Sequence, residues 1–379
     1  MRTIRTDFVT LFILAGLLAL VAVPLKLLFW VPGSDEILTL LPVPQRDFWH
    51  GHELLAGYGQ LVLGGYLLTR PGKRTIRFLI MLWLVARISI FVPGLAGLYL
   101  GAFGNLATFG LLFFYAGLAF FRAAKRLKSA LPGLIIFLLL SSEAVFQAGG
   151  ILANRALSET ALLAMIWLLI VLLFLMGGRI IAAATSGALQ KRDMYRPYMA
   201  QGRLENYGLV ALILAAVSDL AGLPPPLSAL LGLLAAMVIM RRLWNWRVWL
   251  VADGFDLTSL HLGYAMLAVG LCFNSVLTLI LGRQGLIGFH GAMIGGFALL
   301  SITVMCRTVL QRFRFSLSLP VSMRISCACV AVASLTRMAA IQDTGTTELL
   351  VMSALLWELA FAGFVFTLIA LIWRFKKTN

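Results

Sequence analysis

The chain has 379 residues, of which 61% are hydrophobic and 12% are charged, and its formal net charge is +16. Water-soluble domains do not have so large an apolar fraction, which is typical of proteins that cross a membrane several times. The positive charge lies in short connectors between apolar runs rather than in one patch, so we expect no nucleic-acid partner.

Apolar runs follow one another along the chain, and a spanning helix needs about 20 mostly apolar residues. The first run is too long for the apolar part of a signal peptide, so we interpret it as a retained span. The sequence therefore predicts an all-α, polytopic transmembrane helix bundle of about 12 spans. The predicted spans are 8–30, 48–69, 77–92, 97–121, 132–152, 159–184, 206–222, 225–241, 256–281, 286–310, 319–340 and 347–373.

We predict a single integral membrane domain over residues 1–379. Spans one to six occupy about 8–184, a cytoplasmic connector occupies about 185–205, and spans seven to twelve occupy about 206–373. This connector holds the longest polar stretch of the chain and divides the spans six and six.

The basic residues favour alternate connectors, which is the distribution expected when those connectors are cytoplasmic. The intervening connectors have only Arg46, Arg155 and Arg283. The pattern predicts an even number of spans with both termini in the cytoplasm. The bases assigned to the cytoplasmic side are Arg2, Arg5, Arg70, Lys73, Arg74, Arg77, Arg122, Lys125, Arg126, Lys128, Lys191, Arg192, Arg196, Arg203, Arg241, Arg242, Arg247, Arg312, Arg314, Arg374, Lys376 and Lys377.

Only four histidines occur in the chain, and all four lie inside predicted spans. In this topology His50, His52 and His290 lie near the outer face, whereas His261 lies near the cytoplasmic face. Ionisable groups within a membrane are costly and tend to be functional. Residues i and i+2 of a regular helix are about 200° apart. Either this helix is irregular and His50 and His52 share one metal, or they serve two sites, which we favour.

Other polar side chains within the predicted spans could serve either structure or a cofactor. Glu53 shares a helical face with His50 at i+3. Arg87 and Arg337 could pair with carboxylates, or their planar guanidinium groups could bind an anion such as a haem propionate. The remaining intramembrane charges are Glu143, Asp219, Glu358, Arg179, Arg307 and Arg324. The four cysteines lie in apolar runs, so we expect buried thiols rather than disulfides.

Several segments resemble the NnrS family. The stretches "WHGHELLAGYGQLVLGGYLLT", "GGRIIAAAT", "LTSLHLGYAMLAVGL" and "FHGAMIGGFALLSITVMCRT" are similar to that family's second, sixth, ninth and tenth spans, in that order. The chain departs from the family pattern at "RTDFVTLF", where the family has an RPFF-like stretch. It departs again at "TVLQRF", where the family has an HTGR-like stretch, so it resembles a divergent member.

The resemblance implies a multi-pass protein of the bacterial inner membrane that contains b-type haem and copper. It also implies a role in resistance to nitric oxide and nitrosative stress, linked to denitrification. The metal ligands implied are His50, His52, His261 and His290. The cofactor-binding residues implied are Arg87, Arg337, Glu53 and Tyr264. The expected partners are the lipid bilayer, nitric oxide or its iron adducts, and quinol.

Three functions from different classes are compatible with these residues. The first is a haem- and copper-binding protein that protects against nitric oxide, and the second is a quinol-linked enzyme that reduces nitric oxide or another small molecule. The third is a secondary transporter. Oxidases and nitric oxide reductases of the haem–copper type use six histidines, and this chain has four. It cannot build that two-haem centre unless methionines replace the missing ligands, so the sequence assigns no enzymatic activity.

Overall fold

The computed structural model of the chain describes residues 6–28, 46–69, 71–194, 201–251, 254–282, 285–340 and 347–378. Every regular element in these ranges is a helix, and no strand occurs among them, which confirms the predicted all-α class. Several predicted features lie outside the described residues. They are Arg2, Arg5, Arg70, Arg196, Arg283 and the last two residues of the first predicted span.

The chain divides into two compact units. Unit 1 comprises Met1–Leu168 and Leu368–Asn379, and unit 2 comprises Leu169–Thr367. The prediction of a single membrane domain stays a prediction.

The helices of unit 1 follow the predicted spans closely. They are α1 (Asp7–Leu28), α2 (Arg46–His52), α3 (Tyr58–Leu67), α4 (Lys73–Ile88), α5 (Gly94–Leu112), α6 (Leu118–Ala123), α7 (Leu127–Ile151) and most of α8 (Arg155–Leu172). Short 3₁₀ turns extend some helices, as at Ser89–Phe91 after α4.

Unit 2 is also built from helices alone within its described part. They are α9 (Gly178–Gln190), α10 (Gly202–Leu220), α11 (Pro225–Trp246), α12 (Phe255–Leu281), α13 (Leu299–Arg312), α14 (Val321–Ala339) and most of α15 (Thr347–Thr378). Helices α10, α11 and α12 pack against one another in sequence order, and α12 also packs against α13.

Nine helices in the described ranges are long and apolar enough to cross a membrane. The other three predicted spans, 48–69, 77–92 and 206–222, are also helical but fall outside this group. Their helices are short or carry polar residues: α2 carries two histidines, α4 has 16 residues, and α10 carries Arg203, Glu205 and Asp219. The count of twelve and the cytoplasmic termini therefore stay predictions.

Large apolar side chains stand on the outside of these helices. Phe103 is 60% exposed, Met81 62% and Phe366 65%. Exposed apolar residues on this scale would be unfavourable in water, whereas lipid chains cover them without cost. A helix forms its backbone hydrogen bonds within its own segment, as the hydrocarbon core of a bilayer requires. The chain is thus a multi-pass membrane protein.

Four π-helical segments interrupt the helices within the described ranges. We call them π1 (Glu53–Gly57), π2 (Phe113–Gly117), π3 (Leu173–Gly177) and π4 (Ala292–Ala298). The first three begin at equal intervals along the chain, and each ends at a glycine. A π-turn widens the helix and releases carbonyl groups from the regular ladder, and such turns are rare and frequently mark functional sites.

Candidate cofactor sites

His52 ends α2, immediately before π1, and its side chain is buried. Its Nε2 atom lies 3.0 Å from both carboxylate oxygens of Glu143 on α7. Its ring stacks on Phe146, with centroids 4.2 Å apart and planes within 5° of parallel. Gln147 donates a hydrogen bond of 2.7 Å to Glu143. Glu143 therefore fixes one edge of the imidazole, and Phe146 fixes one of its faces.

Glu53 is the first residue of π1 and connects His52 to an arginine. One Glu53 oxygen lies 3.5 Å from Nδ1 of His52, and the other lies 3.0 Å from Nε of Arg87 on α4. Arg87 also donates a hydrogen bond of 2.6 Å to the side chain of Asn105. Buried charges persist only when partners of this kind compensate for lost hydration. The result is a continuous polar chain from Glu143 through His52 and Glu53 to Arg87.

Gly57 is the last residue of π1, and the absence of a side chain there leaves room for Arg87. A Cβ atom added at Gly57 would lie 2.4 Å from Nη1 of Arg87, so the guanidinium lies directly across the backbone at this residue. Trp83 donates a hydrogen bond of 2.9 Å from Nε1 to the Gly57 carbonyl. The guanidinium carbon stands 5.2 Å from the centre of the Trp83 ring. We refer to Gly57, Trp83, Arg87 and Glu53 as the Arg87 cage.

Tyr264, predicted as a cofactor contact, lies on α12 and is completely buried. Its hydroxyl donates to the carbonyl of Phe174 in π3 at 3.0 Å and accepts from Nη1 of Arg242 at 2.7 Å. The same Nη1 lies 3.2 Å from the Phe174 carbonyl. Arg242, which the sequence analysis placed in a cytoplasmic connector, is instead wholly buried near the end of α11.

The surroundings of Arg242 repeat the arrangement around Arg87. A Cβ atom added at Gly178, just after π3, would lie 2.6 Å from Nη2 of Arg242. The guanidinium carbon lies 5.1 Å from the Trp246 ring centre and 4.7 Å from that of Phe174. Glu205 of α10 is 3.6 Å from Nη2. We refer to Gly178, Trp246, Arg242 and Glu205 as the Arg242 cage.

His261 is buried beside the Arg242 cage, with its ring centre 6.2 Å from that of Trp246. Its Nδ1 lies 2.9 Å from the Leu257 carbonyl, and its Nε2 lies 3.4 Å from the Thr185 hydroxyl. A carbonyl only accepts, so Nδ1 carries the proton and Nε2 has the lone pair. Histidines that bind metals are oriented by this kind of Nδ1 hydrogen bond.

His290 has the same kind of anchor, because its Nδ1 lies 2.9 Å from the Ile287 carbonyl. Its position relative to His261 follows from glycine contacts: Gly263 packs on Leu300, and Gly270 packs on Ala292. The two segments therefore run antiparallel, which places the histidines roughly 10 residues, or about 15 Å, apart along the helix axis. They cannot hold one ion together.

His50 and Arg337 are the remaining predicted site residues. His50 is partly buried on α2, and Arg337 is partly buried on α14, next to Met338, which packs against Gly291. The predicted outer cluster would combine His50 and His52 of unit 1 with His290 of unit 2, and it stays a prediction. No group of three or more His, Cys, Asp or Glu side chains is arranged to hold a metal within the described ranges.

Sequence reasoning did not single out Glu143, Glu205 or Arg242 as site residues. For Glu143 a signal existed, because Gln147 follows it at i+4 in an otherwise apolar span and places two polar groups on one helical face. For Arg242 the signal was Trp246, also at i+4, which its exposed neighbour Arg241 lacks.

A family model described as NnrS protein matches residues 4–376, which is nearly the whole chain. No curated protein matches the chain.

Proposed function

Because the chain belongs to the NnrS family, we propose that it is a haem- and copper-binding protein of the bacterial inner membrane. In this proposal it protects the cell against nitric oxide and its iron adducts and is linked to denitrification. The observation that carries the proposal is the orientation of His261, whose Nδ1 is held by its own helix while the buried Nε2 directs its lone pair toward the Thr185 hydroxyl at 3.4 Å.

Two features of the described residues suit a b-type haem. His261 and His290 have the ring orientation of imidazole ligands, and haem iron is commonly held by histidine. The buried guanidinium group of Arg242 beside Gly178 suits a propionate, because arginine binds carboxylates through paired N–H groups. When bound, the haem iron would supply the position at which nitric oxide binds.

The pair His52 and Glu53 suits copper. If Nε2 of His52 donates to Glu143, Nδ1 has a lone pair that faces an oxygen of Glu53 at 3.5 Å. A proton on Nδ1 would join these two atoms as an ion pair, and a copper ion could take the place of that proton. Nitrogen and carboxylate oxygen are both suitable ligands for Cu(II). A carboxylate behind a ligating histidine, as Glu143 would be, is a usual outer partner of such sites.

Purification from cells supplied with iron and copper tests this function. We expect a Soret band and bound copper, and we expect the His261→Ala variant to lose the Soret band while it remains soluble in detergent and helical. Consumption of nitric oxide with a quinol would identify the protein as an enzyme. A purified protein with neither haem nor copper would contradict the proposal.

A further inference from the structure

The two arginine cages have the same construction but differ in how closely the glutamate approaches the guanidinium. In both, a glycine at the end of a π-turn (Gly57) or just after it (Gly178) lies under the guanidinium, a tryptophan faces it and a glutamate approaches it. In the Arg87 cage the Glu53 carboxylate reaches Nε at 3.0 Å. In the Arg242 cage Glu205 stops at 3.6 Å from Nη2, beyond ordinary hydrogen-bond distance.

The hydrogen bonds of Arg242 are concentrated on one nitrogen. Nη1 donates to Tyr264 and to the Phe174 carbonyl, whereas Nε and Nη2 are buried and make no hydrogen bond to any described residue. Nε and Nη1 of Arg87 also make no hydrogen bond to a described residue, but a Glu53 oxygen lies 3.0 Å from that Nε. Nε and Nη2 form one edge of the guanidinium, which is the edge that binds a carboxylate through two parallel hydrogen bonds. A buried charge with two unused donors is costly unless something occupies that edge.

The charges around this edge also favour an additional anion. Glu205 lies between two arginines, 3.6 Å from Arg242 and 3.5 Å from Arg179, so one carboxylate serves two cations. In the Arg87 cage, by contrast, the one arginine meets Glu53, with Glu143 further along the same polar chain. The carboxylate nearest to Arg242 is therefore shared with a second arginine.

We propose that the Nε–Nη2 edge of Arg242 is a binding site for a carboxylate group that does not belong to the chain. The cage is rigid before the ligand arrives, because Tyr264, Phe174 and Trp246 fix the guanidinium. Little ordering of side chains is then needed on binding, and preorganised sites bind more tightly for that reason.

Two sources could provide this carboxylate. One is a haem propionate, with His261, whose ring centre lies 6.2 Å from that of Trp246, as the iron ligand, and this version rests on the proposed function. The other is a free dicarboxylate such as succinate. Both would bind Arg242 through a carboxylate, and esterifying the propionates of haem distinguishes them.

Titration of the detergent-purified, haem-free protein with hemin and with hemin dimethyl ester tests the site. The ester has the same ring and iron but no free carboxylate. For a haem propionate we expect hemin to bind at least about tenfold more tightly than the ester, since the hydrogen bonds are charge-assisted. Arg242→Gln should abolish most of this difference. Arg241→Gln is the matched control, because that arginine is adjacent and exposed, and it should retain the difference.

Further outcomes decide whether the ligand is a free carboxylate and whether the site exists. Succinate that protects wild type, but not Arg242→Gln, against thermal unfolding would support the site with a free carboxylate as ligand. An Arg242→Gln protein that distinguishes hemin from its ester as well as wild type does, and shows no loss of succinate protection, would overturn the inference. If Arg242→Gln does not fold, Arg242→Lys replaces it, because lysine keeps the charge but lacks the two-nitrogen edge. Failure of wild type to bind hemin at all would contradict the proposed function, whereas the succinate experiment would still decide the inference.

Discussion

Single glycines determine where the buried arginines lie. At Gly57 and Gly178 the guanidinium occupies the space that a side chain would fill. Alanine at either position would have to displace a charged group that is held by hydrogen bonds and by an aromatic ring. Glycine is required here for close approach, not for an unusual backbone angle, since both residues have ordinary right-handed helical φ and ψ values.

We expect Gly57→Ala to lower the free energy of unfolding by about 1–3 kcal/mol, because its Cβ would overlap Nη1 of Arg87. Gly110→Ala is the control: this glycine is also helical, and among the described residues nothing would lie within 4 Å of an added Cβ. That substitution should be neutral or stabilising by up to about 1 kcal/mol. Unfolding by denaturant in mixed micelles measures both, and equal effects would contradict the close contact.

The two histidines of α2 should differ when each is replaced by alanine. His52 is held by Glu143 and faces Glu53, whereas His50 lies about 200° away on the helix. We expect His52→Ala to lose copper and keep the haem spectrum, and His50→Ala to keep copper and lower haem content. Metal analysis and absorbance of the purified variants measure this, and identical losses would indicate one shared centre.

At the scale of elements, the π-turns supply acceptors for neighbouring helices. The Gly57 carbonyl of π1 accepts from Trp83, and the Phe174 carbonyl of π3 accepts from Tyr264 and Arg242. The Gly291 carbonyl, just before π4, accepts from Ser334 at 3.0 Å. Each contact joins a π-turn to a different helix of the same unit, so these carbonyls fix the rotation of one helix against another.

We expect Tyr264→Phe to cost about 1–3 kcal/mol of stability, because it removes one donor and leaves Nη1 of Arg242 and the Phe174 carbonyl with one partner fewer. Tyr207→Phe provides the comparison, since Tyr207 is 63% exposed and should change stability by less than about 0.5 kcal/mol. Thermal unfolding followed by circular dichroism distinguishes them. Equal shifts would show that the buried hydroxyl does not stabilise π3.

For the whole molecule, the alternation of basic connectors determines the expected topology, and this can be tested directly. Cytoplasmic connectors attract lysine and arginine, so a reporter fused after Lys128 should indicate the cytoplasm. A reporter fused near Gly285 should indicate the periplasm. Alkaline phosphatase and green fluorescent protein fusions at both positions measure this. The reversed result would overturn both the predicted orientation and the assignment of His290 to the outer face.

Much about this protein could be predicted from its sequence alone, because hydropathy, charge and motif order are properties of consecutive residues. The apolar runs predicted an all-helical membrane protein, and the short motifs around His50, His261 and His290 predicted a family membership that the match over residues 4–376 confirms. Each of these signals lies within a stretch of about 20 residues, so no knowledge of packing was needed.

Only the tertiary structure decided which polar groups meet. His52 and Glu143 are 91 residues apart, and Arg242 contacts Tyr264, Glu205 and the carbonyl of Phe174 from three other segments. These contacts depend on how each helix is rotated about its axis, which is set by close packing of glycines against neighbouring side chains and by the π-turns. Hydropathy is the same for any rotation of a helix. The sequence therefore does not distinguish an arginine in a connector from one that neighbouring helices bury.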